Sequence, residues 1–283
     1  MPAALMDGAS VARRSLDRTR ERAATWQRSA GRAPTLATVL VGDDPASHTY
    51  VRMKVNRCRQ VGIDSLRHEL PASSSTGDVV RVVEDLVADE AVDGILVQHP
   101  MPAHIDERAV FDAISRGKDV DGVTASSFAD MADGAGEGFA SCTPAGILGL
   151  LDAYGVEIAG RHVVVIGRST ILGKPAAMML LGRDATVTIC HSKTRGLAAF
   201  VAEADIVVAA VGRAELIRGE WIKPGAVVID AGYNSGNVGD VAFASAAERA
   251  SLITPVPGGV GPMTRVMLLD NVVQMAEKAV RSR

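Results

Sequence analysis

Residues 163–175, VVVIGRSTILGKP, hold the chain to an α/β architecture. Val163 to Ile166 are four consecutive apolar residues, the pattern of a strand buried on both faces. Gly167 breaks that strand, and a helix is predicted to start near Gly173. A strand that turns through glycine into a helix N-terminus is where a dinucleotide pyrophosphate binds. Glycine lets the backbone approach the phosphates, and the first N–H groups of the helix point at them. The spacing is G-x-S-x-x-x-G-x-P rather than G-x-G-x-x-G, so the turn is of a particular kind and not the generic one.

A sheet of that kind needs strands and helices in alternation, and the remaining sequence supplies them. In the first half the patterns predict a helix over 9–29, a strand at TLATVLVG (35–42), and a helix over 46–63 closed by Gly62. A strand near 65–70, a helix over 75–90 that opens with a cap, and a strand at VDGILVQ (92–98) follow. This β-α-β-α-β rhythm implies a parallel sheet with right-handed crossovers. Residues 116–141 are less regular. CTPAGILGLLDAYG (142–155) reads as a linking helix with Thr143 as cap and Pro144 in its first turn. The second half repeats the rhythm, with strands at 162–167, 185–190, 205–212 and 226–232 and helices near 174–182, 196–203 and 242–250. SLITPVPGG (251–259) ends a last strand in a turn. The final helix, 261–280, carries Val266, Leu269, Val273, Ala276 and Val280 on one face. The expectation is two α/β domains: an N-terminal parallel-sheet domain over 1–141, a Rossmann-type dinucleotide domain over 142–261, and a C-terminal helix over 262–283.

A chain of 283 residues suits two domains, and a net charge of −3 with mixed signs gives no case for nucleic acid or an anionic membrane. The longest apolar runs, such as Ile206–Val211, are far too short to span a bilayer, and MPAALMDGAS lacks the form of a signal peptide. Cys58, Cys142 and Cys190 have no metal or redox spacing and read as reduced packing residues of a cytoplasmic protein. The six histidines show no ligand spacing, so no metal site is proposed.

In a doubly wound sheet the ligand sits beyond the carboxyl ends of the strands. The loops there read GRSTILG, CHSKTRG, AVGRAE, DAGYN and TPVPGG. At the end of the second strand an NAD enzyme usually places an acid for the ribose 2′-OH. This chain has Cys190, His191, Ser192 and Lys193 instead, with Arg168 across the loop, a set suited to the 2′-phosphate of NADP. Arg168 and Lys193 read otherwise as solvated loop cations.

In the first half Tyr50 and Lys54 share a helix face. At ~100° per residue Lys54 lies about 60° off the apolar stripe of Val51, Val55, Cys58 and Val61, near the border of the core. A partly desolvated lysine can act as acid or base. Spacing alone favours the simpler reading, a side chain snorkelling over the core edge. Gln98 ends a strand and is followed by HPMP, a stiff loop. Asp119 and Asp121 alternate in KDVDG, where one can face a ligand while the other anchors a turn. Y-x-x-x-K also occurs in short-chain dehydrogenases, but there it follows the glycine loop in the same domain; here it precedes it by roughly a hundred residues.

VGDDPASHTYVRMK, DGILVQHPMP, KDVDG, CTP, GRSTILGKP and TPVPGGVGPMT, in this order, resemble the signature segments of one family, the bifunctional methylenetetrahydrofolate dehydrogenase/methenyltetrahydrofolate cyclohydrolases. The resemblance covers nearly the whole chain. It implies an N-terminal catalytic domain, a C-terminal NADP-binding domain, an active site in the cleft between them, a last helix that packs back on the first domain, and a homodimer formed through the cofactor domain. It implies NADP-dependent oxidation of 5,10-methylenetetrahydrofolate and hydrolysis of the methenyl product to 10-formyltetrahydrofolate. By the same resemblance Lys54 transfers protons in hydrolysis, Tyr50 stacks along the substrate, Gln98 hydrogen-bonds Lys54 and Asp121 grips the pterin. Gly258, Gly259 and Pro262 line the folate side. Gly167, Arg168, Ser169 and Gly173 cradle the cofactor, Ser192 assists at the 2′-phosphate and Tyr233 sits at the nicotinamide end. The chain departs from the family pattern at His99, at Tyr233 and in the 124–134 loop, which keeps open a dehydrogenase with weak or absent cyclohydrolase activity. A non-catalytic NADP sensor would not need the set Tyr50, Lys54, Gln98 and Asp121. A dehydrogenase of the amino-acid or shikimate type would not explain TPVPGGVGPMT.

Overall fold

The computed structural model describes residues 2–134 and 139–281, with the side chains of 45–52, 280 and 281 outside the description. In chain order its first elements are β1 (Ala4–Leu5), α1 (Gly8–Ala30), β2 (Thr35–Val41), α2 (Pro45–Val61), β3 (Asp64–Leu70), α3 (Thr76–Ala88), β4 (Gly94–Val97), α4 (Glu107–Asp112), α5 (Ala125–Asp133) and α6 (Cys142–Ala153). There follow β5 (His162–Ile166), α7 (Gly173–Leu181), β6 (Thr186–Cys190), α8 (Leu197–Glu203), β7 (Ile206–Ala209), β8 (Val227–Asp230), α9 (Phe243–Ala247), β9 (Leu252–Ile253) and α10 (Val260–Arg281). They form two compact units. One takes in Met1–Arg13, Met131–Gly134 and Ser141–Met267; the other takes in Arg14–Asp130, Ala135–Ala140 and Leu268–Arg283.

The unit holding β2 to β4 is built on a three-stranded parallel sheet in the order β3-β2-β4. All seven residues of β2 are buried, as a central strand covered on both faces requires. β3, at the edge, exposes Asp64, Arg67 and Glu69. Gly62 follows α2 at φ +77°, a left-handed conformation that ends the helix at little cost to glycine. α3 begins with a capping box: Ser75 Oγ accepts the N–H of Asp78, whose carboxylate accepts the N–H of Ser75. Its far end is closed by Lys118, whose Nζ donates to the carbonyls of Leu86, Val87 and Asp89. The C-terminal part of α10 is tied in by Arg22, which pairs with Asp270 at 2.6 Å and Glu277 at 2.7 Å. Because β2 lies between β3 and β4, the chain reverses its winding there. The carboxyl ends of β2 and β4 therefore form a topological switch point, the usual place for a ligand.

The other unit is built on a six-stranded parallel sheet in the order β1-β9-β8-β7-β5-β6. Val163 to Val165 are fully buried and Ile166 is 1% exposed. Around β5, β7 and β8 the core is filled by Val164, Ile166, Val207, Ala209 and Val228. Counted from β5 the order is the doubly wound one, with its switch point between β5 and β7.

Two sequence expectations are corrected. The 124–134 stretch is not a loop: it forms α5, whose first turn is secured by side chains that precede it. Thr124 Oγ1 accepts the N–H of Ser127, Asp112 accepts that of Ala125, and Asp119 accepts those of Val123 and Thr124. Thr143 is not the cap of α6. The helix starts at Cys142, two residues earlier than that cap would place it, and the capping position falls to Ser141, whose hydroxyl donates to the carbonyl of Ile171 at 2.6 Å. Thr143 instead accepts a hydrogen bond from Thr264 at 3.1 Å.

Candidate active site

In the β2–β4 unit, the switch point brings together two of the residues singled out from the sequence. Gln98 is the first residue beyond β4; its N–H donates to Val39 of β2 at 2.8 Å, which fixes it at the sheet edge. Its side chain is 8% exposed. Nε2 donates to the carbonyl of His99 at 2.7 Å, so Oε1 is the free end of the amide and accepts from Lys54 Nζ at 3.0 Å. Lys54 projects from α2, the helix that follows β2, and is half-buried. The ammonium stem thus runs at the core border, with its end held at a fixed acceptor. Nearby Cys58 takes no part in this: burial pushes its thiol up to about 12, and it packs as an apolar group. Tyr50 lies one turn before Lys54 on α2, and its side chain lies outside the described residues.

The KDVDG segment runs parallel to β4, with Asp119 opposite Ile95. Asp119 is fully buried and anchors the turn through the N–H groups of Val123 and Thr124, at 3.1 and 2.9 Å. The carbonyl of Val120 accepts from Asn271 of α10 at 2.8 Å. Asp121, between these anchors, is half-buried. His99, the departure beside Gln98, stacks edge-on against Phe111 at 6.0 Å.

In the six-stranded unit, the turn after β5 has the form that the sequence announced. Gly167 adopts φ +131°, a region closed to residues with a Cβ, and a Cβ there would lie 2.1 Å from the carbonyl oxygen of Ala210. A Cβ on Gly173 would lie 2.3 Å from the carbonyl oxygen of Gly167. Both glycines are therefore demanded by the close approach of the turn to the start of α7 and to the β7 loop. Ser169 Oγ accepts the N–H groups of Leu172 and Gly173, at 3.2 and 3.3 Å, and so sits at the N-terminus of α7. Arg168, Ser169, Ser192 and Lys193 are exposed. The loop after β6 is a tight turn: Thr194 Oγ1 accepts from the N–H of His191, and His191 Nδ1 accepts from that of Lys193. No carboxylate stands at the end of β6, where Cys190 is followed by His191, Ser192 and Lys193. These residues fit a dinucleotide that carries a 2′-phosphate.

Further along the same sheet edge, Tyr233 is 61% exposed, with its hydroxyl donating to Asn237. Gly258 (φ +110°) and Gly259 form the turn after β9, and Gly259 has Pro255 and Thr254 too close to allow a Cβ. Pro262 lies in the first turn of α10. Sequence reasoning missed two buried acids here, Asp230 and Asp240; the signal was an aspartate closing the apolar run AVVID. Among the described residues no group of three or more His, Cys, Asp and Glu side chains is placed to hold a metal ion, and no helix is long and apolar enough to cross a membrane.

Comparison with known proteins assigns the two parts of the chain to two family models. Residues 6–121 match the family model of the tetrahydrofolate dehydrogenase/cyclohydrolase catalytic domain, and residues 141–280 match that of the tetrahydrofolate dehydrogenase/cyclohydrolase NAD(P)-binding domain. The chain is 66% identical over 278 residues to bifunctional protein FolD 1 of Salinispora arenicola, covering 98% of this chain and 99% of that protein. Among solved structures, the bifunctional FolD methylenetetrahydrofolate dehydrogenase/cyclohydrolase of Campylobacter jejuni superposes with a TM-score of 0.95 at 40% identity, covering 98% of this chain and 99% of the other. The dehydrogenase-cyclohydrolase of Trypanosoma brucei, solved with NADP cofactor and inhibitor, gives 0.94 at 40% identity, with 99% of both chains covered.

Proposed function

The chain belongs to the tetrahydrofolate dehydrogenase/cyclohydrolase family, and from that premise we propose how its own residues divide the two reactions. It is a bifunctional enzyme that oxidises 5,10-methylenetetrahydrofolate with NADP and hydrolyses the resulting methenyl compound to 10-formyltetrahydrofolate. When bound, NADP supplies the acceptor for the hydride that leaves the methylene carbon. That step yields a resonance-stabilised cation and needs alignment rather than a base. Gly167, Ser169 and Gly173 hold the pyrophosphate by backbone approach and the α7 terminus, while Arg168 and Ser192 take the 2′-phosphate. Tyr233 borders the nicotinamide end, and Gly258, Gly259 and Pro262 line the folate side.

Hydrolysis is different chemistry. Water adds to the methenyl carbon, a proton leaves the adduct, and the ring nitrogen that departs from that carbon must gain one. A single amine that can both take and return a proton serves both needs. Lys54 is that group, with Gln98 holding its nitrogen in place, Asp121 gripping the pterin and Tyr50 stacking along it. The observation that carries this assignment is the chain His99 carbonyl, Gln98 amide, Lys54 amine, which leaves Lys54 facing an acceptor of fixed orientation.

One assay tests the reading. The protein is mixed with 5,10-methylenetetrahydrofolate and either NADP or NAD, and methenyl absorbance and reduced cofactor are followed together. Reduced NADP without methenyl accumulation is the expected result. Accumulating methenyl compound would leave a dehydrogenase with a weak hydrolytic site and point to His99 and α5. Arg168→Ala is expected to raise KM for NADP far more than for NAD, and equal effects would remove Arg168 from the 2′-phosphate.

The enzyme is further proposed to be a cytoplasmic homodimer joined through the cofactor unit. β6 is an edge strand with Ile189 36% exposed, and Leu181 and Phe200 on the flanking helices are 53% and 37% exposed. An uncovered edge with apolar neighbours favours pairing with a second copy. Sedimentation should then return twice the 29.5 kDa chain mass, and a monomer at micromolar concentration would refute it.

A further inference from the structure

The loop after β7 forms one side of the switch point in the six-stranded sheet, and its shape is set by a carboxylate that lies 27 to 29 residues further along the chain. Asp240 is fully buried. Its Oδ2 accepts the N–H groups of Val211 and Gly212 at 2.6 and 2.9 Å, and its Oδ1 accepts that of Arg213 at 2.8 Å. Three successive backbone N–H groups thus converge on one carboxylate, the arrangement of an anion nest filled by the protein's own side chain. Oδ1 also accepts from Asn234 Nδ2 at 3.1 Å, which ties in the residue next to Tyr233.

Asp240 is in turn held by Asp230, 4% exposed, at the end of β8. Asp230 Oδ1 accepts the N–H groups of Gly232 and Asp240, at 2.9 and 3.0 Å, and Oδ2 accepts that of Val241 at 2.9 Å. The N–H of Asp230 donates to Thr254 Oγ1 at 2.8 Å. Two glycines make room for the acids: a Cβ on Gly232 would lie 2.2 Å from the Asp240 carboxyl carbon, and one on Gly239 would lie 2.0 Å from Asp230 Oδ2. Burial, with the charge of Asp240 as a lesser cause, pushes Asp230 up to about 6, so at neutral pH it remains the acceptor that its three N–H partners require.

We propose that Asp240 is a positioning residue for the hydride-transfer step: it fixes the 211–213 loop and the Tyr233–Asn234 segment against which the nicotinamide half of NADP is seated. The assignment rests on the reading of this sheet edge as the cofactor site. Its consequence is a division of labour between neighbouring loops. The N–H groups of 211–213 are turned inward to Asp240 and cannot serve the phosphates, so this loop contributes shape. By the same reading the phosphates fall to the 167–173 turn at the residues from Arg168 to Ile171, since the N–H groups of Gly167, Leu172 and Gly173 are taken by the Cys190 carbonyl and Ser169 Oγ. Hydrolysis of a supplied methenyl substrate transfers no hydride and does not depend on that seat.

The test compares wild type, Asp240→Asn and Asn234→Ala in both half-reactions, with 5,10-methenyltetrahydrofolate supplied directly for hydrolysis. Asparagine keeps the volume but leaves one acceptor oxygen and turns an amide NH2 toward N–H groups. Dehydrogenase kcat/KM for NADP should fall roughly 10- to 100-fold in Asp240→Asn, the scale of a small misplacement of a bound reactant, with hydrolysis kept within about twofold. Asn234→Ala, which removes the side-chain bonds to Asp240 and to the Val238 carbonyl but leaves the carboxylate on the 211–213 loop, should shift the same ratio in the same direction by less. It also decides the matter if Asp240→Asn does not fold. Parallel loss of both activities, or an unchanged dehydrogenase, would overturn the assignment. Wild-type protein that fails to reduce NADP would overturn the underlying cofactor reading instead.

Discussion

Lys54→Met is expected to stop cyclohydrolase turnover while NADP binding persists. Methionine keeps the unbranched stem and its packing at the core border but has no proton to move. Gln98 then faces a thioether with an oxygen that its own bond to the His99 carbonyl prevents from turning away. A positioned acid or base contributes about 10²- to 10⁴-fold, so the loss should bring hydrolysis to near the uncatalysed rate. Oxidation needs no proton from this group, so methenyl compound should build up as NADP is reduced. The measurement follows methenyl decay against a protein-free control, with NADP affinity from calorimetry. Cyclohydrolase turnover retained in this variant would remove Lys54 from the catalytic role.

Gly167→Ala is expected to give the opposite split. The residue sits at φ +131°, and the added methyl would meet the Ala210 carbonyl, backbone that is itself fixed because the Ala210 N–H donates to Ile166 at 2.8 Å. Neither side can give way easily. Forcing a residue with a Cβ into a glycine-only region costs about 1–3 kcal/mol before the clash is counted. If that strain opens the turn, NADP affinity should fall about 10- to 100-fold, at about 1.4 kcal/mol per factor of ten. Hydrolysis of supplied methenyl substrate should continue. Unchanged NADP affinity in a folded variant would sink the pyrophosphate assignment for this turn.

The fold was legible where burial is two-sided. β7 and residues 163–166 of β5 are continuous apolar runs, and β2 is broken only by Thr35 and Thr38, because both faces are covered, and no amphipathic helix has that pattern. What escaped was structure stabilised from afar. β1 is two residues long and exists through its pairing with β9, about 250 positions later. α5 has only nine residues, ASSFADMAD, in a stretch rich in Ser, Ala and Asp, and the N–H of Ala125 at its start is satisfied by Asp112, 13 positions earlier. The site divides in the same way. The glycine turn is local and could be read directly. Helical spacing placed Lys54 at the core border but left its function open, because the partner, Gln98, is 44 residues away. Asp230 and Asp240 look like ordinary turn acids in a sequence, and only the packed structure shows them buried among backbone donors.

The ownership of α10 bears on how the protein is made. Arg14–Asp130 leaves the ribosome well before Leu268–Arg283, which belongs to the same unit. Until then Arg22 lacks Asp270 and Glu277, and the Val120 carbonyl lacks Asn271. At about 5–20 residues per second the stretch between Asp130 and Leu268 takes on the order of ten seconds to emerge. β2 to β4 therefore wait for the later part of α10, and a nascent chain halted near Met267 carries the three-stranded sheet without the segment that closes it.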